Sequence, residues 1–262
     1  MKTLLLKVEL LLLIVVLSVS LTHAQKADSL KYHRVLIMPF NPDMYLSDSE
    51  QDIISATRKS PNVYRENFRK VLSLKIAAEL ETIIPCISLV QDSGKQAKED
   101  IMRFYGQSGY VYKNPVGSKA VRPDDPSKKE KKTPDLNNQH SAPTYLTTKG
   151  DTKFMDAEIG DSVETSAIAH RYDADLILSI NQFEIKTNYN SCIDIANKVY
   201  RRELIIHYSL MTPSGKLLVG NYAIAFFPSN TNRDVDIMEK TFPDIAQWIK
   251  EQLRGEVLKK SN

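Results

Sequence analysis

The chain has 262 residues, 35 of them basic and 32 acidic, with a formal net charge of +3, 42% hydrophobic content and 26% charged content. This is the composition of an ordinary folded protein, which excludes a wholly disordered chain and a multi-span membrane protein. The near balance of charge argues against a dedicated nucleic-acid binder. Only 9 glycines occur, about half the usual share of roughly 7%, so there is little room for glycine-rich phosphate loops.

The chain opens with Lys2 and Lys7, an apolar run over residues 10–17 (LLLLIVVL), and the small-residue exit Thr22-His23-Ala24. Charged start, short apolar core and small residues before the cut form the layout of a secretory signal peptide. The run is interrupted by Ser18, Ser20 and Thr22 and falls short of the roughly 20 apolar residues that span a bilayer. Residues 1–24 are therefore expected to be removed, leaving an exported chain with no integral span. Export to an oxidising space would let the only two cysteines, Cys86 and Cys192, pair. Both also read as unpaired core residues, since a free thiol behaves as a small hydrophobe.

Residues 34–40 (RVLIMPF) are a continuous apolar run ended by prolines, which predicts a buried strand and then a loop. Ser60-Pro61 marks a helix start, and Tyr64, Phe68, Leu72, Ile76 and Leu80 recur every four residues as an amphipathic stripe. Residues 86–90 read as a short strand and 95–105 as a weaker helix. From 114 to 147 the composition changes: five of the 12 prolines fall here, beside a run containing Lys128, Lys129, Lys131 and Lys132. Few large apolar residues are present to offset ordering entropy, so this stretch is expected to be a disordered insert. Its lysines are the candidate contact for an anionic lipid or a glycan.

After the insert, Asp161 and Glu164 predict a capped helix. Residues 175–185, 199–211 and 216–227 predict three strands, the last two joined at Thr212-Pro213-Ser214-Gly215. A final helix carries Ile245, Trp248, Ile249 and Leu253, with Pro243 in its expected first turn. The expected order is β-α-β-(α)-insert-α-β-β-β-α, a mixed sheet with flanking helices of the α+β class. Residues 25–113 and 148–262 form the two halves of that single domain.

The search for chemistry returns no phosphate loop, dinucleotide fingerprint, zincin motif or nucleophile elbow. No cofactor or metal is expected. The weak catalytic candidates are His170 and Asp175, an imidazole base with a carboxylate to orient it. A second place is the loop after the first strand, with Asp43, Asp48, Glu50 and Asp52. His207 alternates with Ile205 and Ser209 and reads as a half-exposed sheet histidine. Phe183, Tyr189, Tyr200, Tyr208, Tyr222, Phe226 and Phe227 gather on the last three strands, as core or as a binding platform.

Residues 35–40 (VLIMPF), 172–180 (YDADLILSI) and the turn at 212–216 (TPSGK) resemble the first strand, the helix-to-third-strand junction and the hairpin turn of a bacterial envelope superfamily. It includes the TolB amino-terminal domain, the curli secretion channel subunit and the penicillin-binding-protein activator lipoproteins. Asp173 and Ser179 stand where that superfamily has glycine, and no lipid-anchoring cysteine is present. The resemblance implies a non-catalytic assembly or interaction module that binds other envelope proteins, in the periplasm, at the outer membrane, or secreted. An exported hydrolase and a glycan- or lipid-binding protein are the alternatives.

Overall fold

The computed structural model describes residues 30–117 and 153–260. The expected signal peptide over residues 1–24 and the four lysines Lys128, Lys129, Lys131 and Lys132 of the expected insert lie outside the described residues. Strand β1 (Val35–Met38) is buried along its whole length, as an apolar run covered on both faces must be. It lies parallel to β3 (Cys86–Ser88) on one side and to β6 (Leu176–Asp194) on the other. β6 continues antiparallel into β7 (Val199–Met211), and β7 into β8 (Leu217–Pro228). A short strand, β2 (Tyr45–Ser47), adds parallel to β6 at Phe183–Ile185. The order β3-β1-β6-β7-β8 thus joins strands from both sides of the undescribed segment in one mixed sheet.

The helices are α1 (Glu50–Thr57), α2 (Pro61–Leu80), α3 (Lys95–Gln107), α4 (Ser162–Arg171) and α5 (Asp234–Val257). Helices flanking a mixed sheet make this an α+β fold. Helices α2 and α5 cover one face. The four-residue stripe of α2 is buried there against Phe183, Ile185, Leu204, Ile206 and the Phe242 side of α5. Phe183 is the centre of an aromatic group, with ring centroids 5.2 Å from Phe68 and 5.3 Å from Phe40 and Tyr45. Such aromatic pairs add about 0.5–1.5 kcal/mol each beyond area burial. Helix α5 begins at Asp234, so Pro243 lies inside it rather than in its first turn. Asp234 forms the true start: its buried carboxylate accepts from Lys59 and Asn67 at 2.7 and 3.2 Å. Nine residues of helix before Pro243 were hidden in sequence because Val235, Ile237 and Met238 follow a polar loop without an N-capping side chain.

On the opposite face, α3 and α4 cover the β1 end of the sheet through Ile101, Phe104, Ile168, Leu36 and Ile177. Asp161 caps α4 by accepting from the Val163 and Glu164 amides, as its sequence predicts. The β7–β8 end is covered differently. A two-stranded antiparallel hairpin of β4 (Ser108–Lys113) and β5 (Phe154–Ile159), absent from the sequence-based order, lies over it. Tyr32–Leu258 forms one compact unit containing all these elements. In the small second unit, Leu30 bridges antiparallel to Lys260. No helix among the described residues is long and apolar enough to cross a membrane.

The hairpin approaches the sheet most closely at Gly220 on β8. A Cβ there would stand 2.2 Å from Cζ of the buried Phe154 ring, so only a glycine lets β5 lie down. Gly220→Ala is expected to destabilise by about 1–3 kcal/mol through overpacking. Gly106→Ala, where a Cβ in α3 meets nothing within 4 Å, should be neutral or stabilising by up to about 1 kcal/mol. Chemical denaturation of the two variants beside the wild type measures both; equal stability of all three would contradict this packing.

Candidate functional site

Strands β6 and β7 carry opposite chemistry on their two faces. Toward α2 and α5 they present Leu178, Ile180, Phe183, Leu204, Ile206 and Leu210. Under the hairpin they present Asn181, Gln182, Glu184, His207 and Ser209, all buried. A register shift between Ile180 and Gln182 brings Asn181 into this row as the extra residue of a bulge. Buried polar groups need partners, and the hairpin supplies several from its backbone and side chains, while Asn181 Oδ1 and His207 Nε2 have no hydrogen-bond partner among the described residues. The Met155 amide donates to His207 Nδ1 at 2.9 Å, and Asn181 Nδ2 donates to the Met155 carbonyl at 2.8 Å. Asn181 Nδ2 also donates to Ser209 Oγ at 2.7 Å, and Ser209 donates to Asp156 Oδ1 at 2.5 Å. Lys113 Nζ reaches Asp156 and Glu158 at 2.7 Å each. Tyr112 donates to Gln182 Oε1 at 3.2 Å and closes the rim.

Because His207 Nδ1 accepts from an amide, it carries no hydrogen, and the ring's hydrogen is on Nε2, 3.4 Å from Glu184 Oε1. The tautomer is fixed by the backbone. Burial alone would raise the Glu184 pKa, but His207 and Lys186 beside it overcome this and hold the carboxyl down at about 2. Glu184 is therefore a buried carboxylate at every ordinary pH. The Ser209 hydroxyl, by contrast, donates to a carboxylate rather than to an imidazole and is wholly buried. It lacks the accessible, base-paired geometry of a nucleophile. The cluster's chemistry is that of a clamp between two layers.

The structure separates the residues expected to act together. His170 is exposed in the last turn of α4, where a cation complements the helix dipole. Asp175 turns instead to His33: it accepts the His33 amide at 2.5 Å and its carboxylate contacts Nδ1 of the same residue. Asp173, between them in sequence, adopts φ 52° and pairs with Arg34 at 3.0 Å. His33 carried no role in the sequence reading, since its partner lies 142 residues away. The carboxylates after β1 also diverge. Asp48 accepts from the Thr187 amide and hydroxyl at 2.6 and 3.0 Å, Glu50 from Tyr64 at 2.6 Å, and Asp52 contacts Arg202. Each carboxylate fastens a different pair of elements. His207 is buried rather than half-exposed, because the unforeseen hairpin covers it. Among the described residues, no group of three or more His, Cys, Asp or Glu is placed to hold a metal ion.

Cys86 and Cys192 are both free thiols. Cys86 is level with Leu176 across β1, whereas Cys192 lies 16 residues further along β6. At roughly 3.3 Å per residue they stand tens of ångströms apart, far beyond disulfide reach. Burial pushes the Cys86 thiol up to about 12, making it unreactive.

The far end of the β6–β7 pair has a different character. Arg202, itself buried, ties its base to Asp52 of α1, to Thr187 Oγ1 at 3.2 Å and to Asn232. Beyond that anchor Tyr189, Ile193 and Ile195 are 67%, 57% and 85% exposed. Tyr189 meets Tyr200 edge-on at 5.3 Å, and Arg201 lies 5.4 Å over the Phe226 ring. This aromatic and aliphatic end is the largest concentration of exposed apolar side chains in the last three strands.

Asn181→Leu leaves the Met155 carbonyl and Ser209 without their donor, and should cost about 1–3 kcal/mol in denaturant unfolding. Glu184 binds its proton less readily folded than unfolded, so its stabilisation is complete above its ordinary value of 4.5 and is lost as pH falls toward 2. Glu184→Gln should flatten the acid limb of the stability–pH curve over that window, read by denaturant unfolding at a series of pH values.

Compared with known proteins, the chain matches no family model, no curated protein and no solved structure.

Proposed function

We propose that this chain is an exported bacterial envelope protein that works as a non-catalytic assembly or interaction module. The observation that carries the reading is the anchored β6–β7 end, where Tyr189, Ile193 and Ile195 are held out to solvent on a rigid base. Contiguous apolar side chains on a soluble surface mark binding sites, and aromatics are enriched at the centres of protein interfaces.

The superfamily resemblance adds weight. The two apolar stretches that suggested it are neighbours, with Val35 opposite Leu176 and Met38 opposite Ser179. Asp173, where the superfamily has glycine, adopts the left-handed backbone that glycine enters most easily. The Thr212–Gly215 turn is closed by a 2.9 Å backbone bond, with Gly215 at φ 81°. The charged start, apolar run and small-residue exit of residues 1–24 support export of such a module.

The test compares cross-linked, tagged wild-type protein with an Ile193→Ser/Ile195→Ser double variant in its native envelope. Both side chains are exposed, so thermal stability should change by no more than about 0.5 kcal/mol. The wild type should recover a defined partner, and the variant should recover at least about tenfold less, the effect of losing roughly 1.4 kcal/mol of binding. Recovery of no partner, or equal recovery by both proteins, would overturn the proposal.

A further inference from the structure

The clamp between hairpin and sheet contains one group whose hold on the hairpin depends on a single proton. We infer that His207 is a proton-operated latch, holding β5 when neutral and releasing it when charged. In the neutral ring, the Nδ1 lone pair accepts the Met155 amide of β5 at 2.9 Å, while Nε2–H points at Glu184 on β6. A proton from solvent can add only at Nδ1, because Nε2 already carries one. The new N–H bond uses the lone pair that held Met155, leaving two N–H groups facing each other. The Met155 hydrogen bond must break.

Glu184 Oε1, 3.4 Å from Nε2, neighbours the ring in both states. The two states therefore differ at Nδ1 alone: the neutral ring holds the Met155 amide, and the charged ring cannot. A single proton thus sets whether that contact is made.

Polar and charged groups from each neighbouring strand surround the ring. From β6, Glu184 faces the ring, with Lys186 against its other oxygen. From β4, Tyr112 stands edge-on at 6.2 Å, and Lys113 is held by Asp156 and Glu158 of β5. From β8, Tyr222 lies 5.9 Å away. On β7 itself, Glu203 lies four residues along the same face. The carboxylate of Glu184 stands 3.4 Å from Nε2. What opens is the polar row of Asn181, Gln182 and Ser209.

The test uses the whole exported chain at about pH 7.5 and about pH 5, the ends of the imidazole window. At the higher pH the ring nitrogen shifts of His207 should report a bare Nδ1 and a protonated Nε2. Hydrogen exchange of the Met155 amide, corrected for the intrinsic pH dependence, should lose protection by at least about tenfold at the lower pH. His207→Asn places a non-titrating acceptor, Oδ1, where Nδ1 stood, and should abolish that pH dependence. A protonated Nδ1 at the higher pH, equal protection at both pH values, or an unchanged drop in His207→Asn would each overturn the latch. If His207→Asn does not fold, the two wild-type measurements decide the matter alone.

Discussion

The peptide group of Met155 is the point on which the layering turns. Its N–H goes to His207 and its C=O to Asn181, so two sheet side chains do for β5 what a neighbouring strand does inside a ladder. An isolated two-stranded hairpin is marginal in water, and β4–β5 docks through Phe154, Met155 and Ala157 together with these polar contacts. The sheet has the complementary problem: an uncovered row of Asn181, Gln182, Glu184, His207 and Ser209 would be harmless, but a buried one costs about 1–3 kcal/mol for each group left unpaired. Hairpin and row solve each other's problem. Gly220 makes the solution sterically possible by letting the Phe154 ring rest on the β8 backbone. The opposite face needs none of this, because α2 and α5 bring complete apolar stripes to an apolar surface.

That contrast explains which parts of the fold were legible in the sequence. The four-residue stripe of α2 and the apolar run of β1 bury themselves by local pattern, and they read correctly. The Thr212–Gly215 turn carries its own backbone chemistry and read correctly too. β5 did not: FMDAEI is buried at Phe154, Met155, Asp156 and Ala157 alike, so it has no period of two to detect. Its Asp156 is buried because Lys113 and Ser209 meet it from 43 and 53 residues away. The candidate site failed to read for the same reason. His170 and Asp175 are near in sequence but point apart, whereas His207 gains its meaning from Met155, 52 residues earlier. Side chains paired across the topology leave no spacing signal. The buried carboxylate Glu184 sits in a strand whose opposite face is apolar, and alternation alone gives it to solvent.

The exposed end of β6 presents its apolar groups on an irregular strand edge. Between Asn188 and Cys192 the β6 register advances by four residues while β7 advances by one, from Arg201 to Tyr200, and a further shift follows at Asp194. Irregularities of this kind bend an edge and break its ladder of free N–H and C=O groups, which is how natural sheets resist edge-to-edge pairing. The same distortion swings Tyr189 outward against Tyr200. Below it, the Arg202 anchor joins β7 to α1 and to the loop before α5. The distorted edge is a poor template for a strand, so in the proposed role a partner would fit the pattern of Tyr189, Ile193 and Ile195 themselves. Recognition of that kind draws its specificity from shape, and it loses least entropy when the surface is held in place beforehand.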